Sequence, residues 1–169
     1  MIELLRAAAT EAPERVALAR AAGELTYGEL VARAETIAAE LRRRGVRRLA
    51  VLDPDHGTVW ALLAACSLAG VESCLYPVAA TDETVAELRA RLDHDLLVTP
   101  RDLPGPGVQR PEELWAGSDR DTGPVPDGPR PLLVLTSGTT SGRPQAARRT
   151  GWAHRPAASA ARVRGGCAA

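Results

Sequence analysis

A segment rich in serine, threonine and glycine, Thr136–Gln145, contains the residues best suited to chemistry. It follows the apolar run Leu132–Leu135, which predicts a short buried strand. Glycine lets backbone N–H groups turn toward an anion and lets the anion approach closely. Hydroxyl groups add further donors. Those hydroxyls belong to Thr136, Ser137, Thr139, Thr140 and Ser141. The pattern indicates a phosphate-binding loop, but not a Walker A loop, because no Gly-Lys-Ser/Thr sequence follows.

The composition is that of an ordinary globular domain. The chain has 169 residues, of which 45% are hydrophobic and 25% charged, so it is long enough to bury one core. The formal net charge of +0 gives no overall field that would favour nucleic acid or a membrane surface. No apolar run approaches membrane-spanning length, and the first residues include an acid where a signal peptide needs bases. We therefore predict a cytoplasmic protein with no nucleic-acid partner and no membrane partner.

Cysteine and lysine usage narrows the possible chemistry. The three cysteines form no Cys-x-x-Cys pair and are odd in number, which argues against a disulfide framework or a zinc site. Cys66 and Cys74 lie in apolar stretches, where a buried free thiol is usual. The chain has no lysine, so no side-chain ammonium is available for phosphate or carboxylate chemistry.

A hairpin and an amphipathic helix are predicted near the start of the chain. Val16–Ala19 and Glu24–Thr26 flank a glycine, as in a small hairpin. Thr26 and Glu29 have the spacing of a capping box, and Gly45 suits the position just after a helix end. The helix between them repeats apolar residues at the spacing of one buried face. These residues are Leu30, Ala34, Ile37, Ala38 and Leu41.

Short strands then alternate with helices. The predicted strands are Leu49–Leu52, Val71–Tyr76 and Leu96–Thr99, and the predicted helices are 58–69 and 81–92. This alternation predicts an α/β fold with a parallel sheet flanked by helices on both faces. The run before the Ser/Thr/Gly segment would add one more strand to that sheet.

Two segments depart from the pattern. Residues 100–131 contain eight of the 13 prolines and five glycines, which predicts a long surface loop. Residues 146–169 contain no acid and no apolar period that would continue the fold. We predict one partial domain over 1–149 and a disordered or out-of-frame tail over 150–169. The arginines of this tail could bind nucleic acid or anionic lipid, but with Trp152 as its one aromatic residue a solvated tail is favoured.

Other polar and aromatic residues have structural and functional alternatives. The cluster Asp93–Asp95 could be an acid–base or metal cluster, but polar residues are also expected at a turn between a helix and a strand. Asp55 has the position of a helix cap, whereas His56 could face a ligand cleft at the end of a strand. Trp60 and Trp115 are predicted to be packing groups.

Taken together, these segments resemble the N-terminal part of adenylate-forming enzymes, the superfamily of AMP-forming acyl-CoA synthetases, nonribosomal peptide synthetase adenylation domains and luciferases. The resemblance covers roughly residues 10 to 149. It lies in Leu25–Leu30, Leu41–Val46, Val51–Pro54, Ala61–Val71 and the loop Leu135–Pro144, which is similar to the family's "TSGTTGxPKG".

The resemblance implies that the loop holds the β- and γ-phosphates of ATP while a small-molecule carboxylic acid attacks the α-phosphate. An acyl-adenylate and pyrophosphate would form, and the acyl group would usually pass to a thiol acceptor. Donors in the loop would stabilise charge on the leaving pyrophosphate. The nucleotide-binding residues implied are Thr136, Ser137, Gly138, Thr139, Thr140, Ser141 and Gly142.

The chain departs from the family pattern at several points. Ser141 is an insertion before the next glycine, and Gln145 stands where the family usually has lysine, so a hydrogen bond replaces a charge. The family's segment with a glutamate that helps to hold Mg²⁺ is not found, nor is the catalytic lysine, so no catalytic residue is assigned. We therefore expect a truncated ligase, inactive alone, interrupted by a frameshift or premature end near Thr150.

Two alternatives stay open. The chain could be a non-catalytic nucleotide-binding or interaction module, or one half of a split ligase that a separate C-terminal half complements. If the family's sheet is cut here, an exposed strand edge and apolar surface predict self-association or poor solubility.

Overall fold

The computed structural model describes residues 2–20, 23–127, 132–136 and 145–149. Five helices and eight strands lie in these residues. The helices are α1 (Ile2–Glu11), α2 (Tyr27–Arg43), α3 (His56–Ala69), α4 (Asp82–Leu92) and α5 (Pro111–Trp115). The strands are β1 (Val16–Arg20), β2 (Gly23–Thr26), β3 (Arg48–Val51), β4 (Glu72–Leu75), β5 (Leu96–Val98), β6 (Val108–Gln109), β7 (Leu132–Thr136) and β8 (Gln145–Arg149).

The predicted hairpin and capped helix are confirmed. β1 pairs antiparallel with β2, and Thr26 caps α2. The Thr26 hydroxyl accepts the backbone N–H of Glu29, whose carboxylate accepts the backbone N–H of Thr26 in return. The predicted apolar face of α2 is fully buried, and Gly45 has φ +67°, a conformation that glycine adopts without strain. Local sequence signals therefore determine both ends of this helix.

One sheet organises the rest of the chain, with strand order β6-β5-β3-β4-β7-β8. The first five strands run parallel, and β8 runs antiparallel to β7. The predicted α/β class with a parallel sheet is thus confirmed. Two crossovers leave β3 and β5 in opposite directions, because β3 leads through α3 to β4 on one side and β5 leads to β6 on the other.

Helices cover both faces of the sheet, as alternate residues of each strand point to opposite sides. Leu49, Val51 and Val98 lie in a core with α1, α2 and α3, whereas Ala50, Leu52 and Leu97 pack with residues of α4. α3 buries residues on all sides because it lies between α2 and the sheet. The second face is covered more thinly, since α4 contributes only Val85 and Leu88 as fully buried residues.

The prediction of a plain loop over 100–131 is wrong in part. β6 extends the sheet beside β5, and α5 buries Leu114 in the core with α2. Further along, Asp121 is buried and forms an ion pair with Arg42 at 2.6 Å, while its backbone N–H donates to the carbonyl of Glu35. Arg6 of α1 donates to the carbonyls of Asp121 and Gly123. Arginine contacts from distant helices hold this segment, which composition does not reveal.

After the Ser/Thr/Gly segment the chain adds one more strand to the sheet, which no apolar period in the sequence predicted. Gln145–Arg149 forms β8, whose pairing with β7 runs from Thr136 opposite Gln145 to Leu132 opposite Arg149. This segment has no alternation of apolar and polar residues, so pairing with an existing strand and not propensity explains its conformation. The predicted tail over 150–169 lies outside the described residues.

The prediction of buried free thiols is confirmed. Cys66 and Cys74 are free and buried, and burial raises the pKa of each thiol to about 12. Such thiols remain protonated near neutral pH and are poor nucleophiles. Among the described helices, none combines the length and apolar character needed to cross a bilayer.

Candidate functional site

The predicted phosphate loop begins at the carboxyl edge of the parallel sheet. β7 ends at Thr136, and the chain returns to the sheet at Gln145, which pairs with Thr136. The intervening residues, which include Ser137, Gly138, Thr139, Thr140, Ser141 and Gly142, lie outside the described residues. The next element among the described residues is β8 and not a helix, so anion binding by this segment would rely on backbone N–H groups and hydroxyls.

Two buried polar residues lie at the same edge, where the crossovers from β3 and β5 diverge. Asp53 follows β3 and is 7% exposed, and Thr99 follows β5 and is fully buried. The backbone N–H of Leu52 donates to the carbonyl of Val98 at 2.9 Å, which holds these two strand ends together. Ligands of open parallel sheets gather outside the carboxyl ends of strands at such a divergence. The edge is therefore the candidate functional site.

Asp53 has a perturbed carboxyl group. Burial raises its pKa, and the nearby charges of Asp55 and Glu112 raise it further, although the backbone N–H of Asp55 donates to Oδ1 at 2.7 Å and lowers it. A carboxyl group with a raised pKa at a strand end is typical of functional sites, but structural networks also produce one. Asp53 was not predicted as a site residue, and the signal that points to it is the Asp-Pro-Asp sequence directly after a strand.

Asp55 caps α3 as predicted and also pairs with the hairpin. Its Oδ2 accepts the backbone N–H of Thr58 at 2.8 Å and the Thr58 hydroxyl at 2.9 Å, and Arg20 of β1 donates to both carboxylate oxygens at 3.0 and 3.2 Å. Burial alone would raise the pKa of Asp55, but these hydrogen bonds outweigh it and lower the pKa. His56 is exposed at the first position of α3. That it faces a ligand cleft stays a prediction.

Gly57 gives a direct test of the ion pair between Arg20 and Asp55. A Cβ at Gly57 would lie 2.7 Å from Arg20 Cδ, so the Arg20 side chain, which pairs with Asp55, would have to shift. Alanine favours a helix over glycine by about 1 kcal/mol, and we expect the steric cost to exceed this gain. The net effect of Gly57→Ala should therefore be to lower the free energy of unfolding by about 1 kcal/mol. Urea unfolding of Gly57→Ala, Arg20→Ala and the double variant measures the coupling.

Gly117→Ala is the matched control, because nothing lies within 4 Å of a Cβ there. We expect it to change stability by less than about 0.5 kcal/mol. If Gly57→Ala lowered the free energy of unfolding equally in the unaltered chain and in Arg20→Ala, the contact with Arg20 would not be the cause of the destabilisation.

The remaining candidate residues have structural roles. Asp93 ends α4 in a left-handed conformation at φ +51°, and Asp95 Oδ2 accepts the backbone N–H groups of Arg47 and Arg48. The described residues contain no group of three or more His, Cys, Asp and Glu side chains that could hold a metal ion. Trp115 is half-buried beneath Arg33, which lies 5.0 Å from its ring centroid. Trp60 is 41% exposed, so its predicted packing role is only partial.

Comparison with solved structures identifies the fold. The N-terminal subdomain of NpsA from Klebsiella oxytoca, in complex with 3-hydroxybenzoyl-AMSN, matches with a TM-score of 0.74 at 20% identity, over 88% of this chain and 40% of that chain. O-succinylbenzoate coenzyme A synthetase (MenE) from Bacillus subtilis, in complex with AMP, matches with a TM-score of 0.72 at 23% identity, over 87% and 42%. VinN in complex with 3-methylaspartate gives a TM-score of 0.75 at 23% identity, over 87% and 46%.

These neighbours are adenylate-forming enzymes. The chain therefore has the fold of the N-terminal part of an adenylate-forming enzyme, and the predicted resemblance is confirmed at the level of the fold. The chain spans about two fifths of the length of the structures that it matches. No protein-family model and no curated protein sequence matches it.

Proposed function

We propose that this chain is the N-terminal part of an AMP-dependent synthetase or ligase and that the segment Thr136–Gly142 contacts the phosphates of ATP. The observation that supports this is positional. A Ser/Thr/Gly-rich segment falls between β7 and β8, at the carboxyl edge of a sheet with the fold of adenylate-forming enzymes. Neither the motif nor the fold would support the proposal as strongly alone, because short motifs have many false positives and folds host many functions.

The donor set of the segment fits a polyphosphate. Its hydroxyl groups and backbone N–H groups are donors, and the segment itself contains no aspartate or glutamate. Gln145, at the start of β8, offers an uncharged amide where a cation would bind phosphate more strongly. ATP, when bound, supplies the adenylyl group that activates a carboxylate, and pyrophosphate is the leaving group. The role proposed for this chain is to hold the phosphates and stabilise the charge on them.

The ligands of the structural neighbours support a proposal for the rest of the reaction. MenE binds AMP and an acyl-adenylate, and NpsA binds an acyl-AMSN compound. By analogy, we propose a small-molecule carboxylic acid as substrate, a thiol as the usual acceptor and Mg²⁺ as the metal that accompanies ATP. We further propose that this chain alone binds nucleotide without turnover. A C-terminal half supplied by another chain would then be needed for activity.

Titration calorimetry with Mg-ATP tests the binding. We expect the intact chain to bind ATP, and Thr139→Val with Thr140→Val to weaken the affinity about tenfold or more, because each lost hydrogen bond to a charged group costs about 1.5–3 kcal/mol. Thr10→Val is the matched control, as Thr10 is exposed on α1 and its hydroxyl donates to the carbonyl of Arg6. Equal affinities for both variants, or no binding of ATP by the intact chain, would contradict the proposal.

Pyrophosphate release with a mixture of carboxylic acids tests the catalytic part. We expect no release by this chain alone and release only when a complementing C-terminal half is added. Turnover by the isolated chain would contradict the proposed incompleteness while leaving the nucleotide-binding proposal intact.

A further inference from the structure

Tyr76 and His94 are 18 positions apart in the sequence, and their side chains meet in the fold. Tyr76 follows β4 at the carboxyl edge, next to β7, and His94 lies in the turn between α4 and β5. The Tyr76 hydroxyl and His94 Nδ1 are 3.0 Å apart, and the rings meet edge to face with their centroids 5.6 Å apart at 70°. Tyr76 is 4% exposed and packs with Val85 and Leu88 of α4. This contact therefore ties the end of α4 to the end of β4.

The hydrogen-bond partners around His94 suit a neutral imidazole and not an imidazolium. His94 Nε2 is buried and has no hydrogen-bond partner in the part of the chain that the structure describes. A neutral ring carries one N–H and one acceptor nitrogen, and the Tyr76 hydroxyl can rotate to satisfy either form at Nδ1. An imidazolium carries two N–H groups, and the one at Nε2 would be buried without an acceptor, which is costly.

Charged side chains from β3, from α4 and from its own turn act on the pKa of His94. Arg48 of β3 and Arg89 of α4 disfavour the imidazolium, whereas Asp93 and Asp95 in its own turn favour it. Both acids are partly neutralised, since Asp93 lies 3.5 Å from Arg48 and Asp95 accepts the backbone N–H groups of Arg47 and Arg48. Glu72 of β4 lies 3.8 Å from Arg48, and the charge of Arg91 of α4 acts on Tyr76 and Cys74. The Tyr76 hydroxyl and the Cys74 thiol stay protonated because burial raises the pKa of each.

We propose that the Tyr76–His94 pair is an acid-sensitive latch that fixes α4 to the sheet while the imidazole is neutral and releases it when the imidazole is protonated. Burial first, and then Arg48, lower the pKa of His94 from 6.5 to about 4. An unfolded chain therefore takes up the proton first as the pH falls. The stabilisation is complete above about pH 6.5, declines as the pH falls toward 4, and does not decline further below that. Release would expose the sheet face that α4 covers, next to β7.

Urea unfolding of the full chain at pH 7.5 and pH 4.5 tests the latch. We expect the folded-to-unfolded ratio of the unaltered chain to fall at least roughly tenfold more between these pH values than that of His94→Gln, whose side chain cannot be protonated. The chain has two other histidines, so the control is His56→Gln with His154→Gln, which leaves His94 as the one histidine. This control should keep the full acid sensitivity. An unchanged pH dependence in His94→Gln would overturn the proposal.

An NMR titration keeps the test valid if His94→Gln does not fold. In the chain with His56→Gln and His154→Gln, the ring resonances report His94 alone. We expect no protonation of the folded state above about pH 5, and we expect hydrogen exchange of α4 amides to accelerate as the pH falls below that value, after correction for the intrinsic pH dependence of exchange. A titration midpoint near the ordinary histidine value of 6.5, or uniform exchange across the sheet and α4, would refute the latch.

Discussion

Replacement of Leu62 by alanine is expected to lower the free energy of unfolding by about 2–5 kcal/mol. Leu62 is fully buried in α3, between α2 and the sheet, in the larger of the two cores. Truncation removes apolar surface from that core and leaves a cavity that the surrounding structure closes only in part. Domains of this size are stable by only about 5–15 kcal/mol, so the loss is a large share of the total.

Urea unfolding followed by far-ultraviolet circular dichroism measures this loss. Leu4→Ala is the matched control, because Leu4 on α1 is 67% exposed and its truncation should cost less than about 0.5 kcal/mol. Similar effects of the two substitutions would mean that α3 is not packed as described.

Replacement of Arg6 by alanine is expected to cost about 2–4 kcal/mol and to free the segment around Asp121. The Arg6 guanidinium donates to Glu35 Oε1 at 3.0 Å and to the carbonyls of Asp121 and Gly123 at 2.7 and 2.8 Å. The Glu35 side chain is only 10% exposed, so its carboxylate would lose a partner while it remains largely buried. The two carbonyls would lose theirs at the same time.

Urea unfolding measures the loss in stability, and limited trypsin digestion measures the release of the segment, with faster cleavage after Arg120 expected in Arg6→Ala. Arg47→Ala is the matched control. The Arg47 side chain is 82% exposed and lies 3.6 Å from Asp95, so its removal should be nearly neutral. If Arg6→Ala were as mild as this control and cleavage after Arg120 did not change, the three contacts of Arg6 would contribute little to the fold.

The sequence predicted those parts of the fold that depend on neighbouring residues. The capping box at Thr26, the glycine at Gly45 after α2 and the spacing of apolar residues in α2 are local signals, and the structure reproduces each of them. Strand order follows less directly, but short connections and right-handed crossovers leave few arrangements for an alternating pattern. The α/β class was therefore predictable without the structure.

What the sequence did not reveal depends on contacts between distant residues. Arg6 and Gly123 are separated by almost the whole described chain, so no window of sequence shows that Arg6 anchors the proline-rich segment. β6 has two residues, and β8 lacks an apolar alternation, so both owe their conformation to a neighbouring strand. At the candidate site, the sequence predicted the cap at Asp55, which is confirmed, whereas the predicted phosphate loop lies outside the described residues. No sequence signal indicated Arg20, because its partner Asp55 lies beyond α2 and β3.

The placement of β7 has a consequence for how the protein folds. β4 is the one parallel neighbour of β7, and Ser73 pairs with Leu132 across a connection that includes α4, β5, β6 and α5. Closing a loop of this length costs entropy before any contact repays it, although each doubling of length adds only about 0.6 kcal/mol. Long-range parallel pairing is correspondingly slow. We therefore expect the strand that presents the Ser/Thr/Gly segment to join the sheet after β3 and β4 have paired, so that the candidate site forms late in folding.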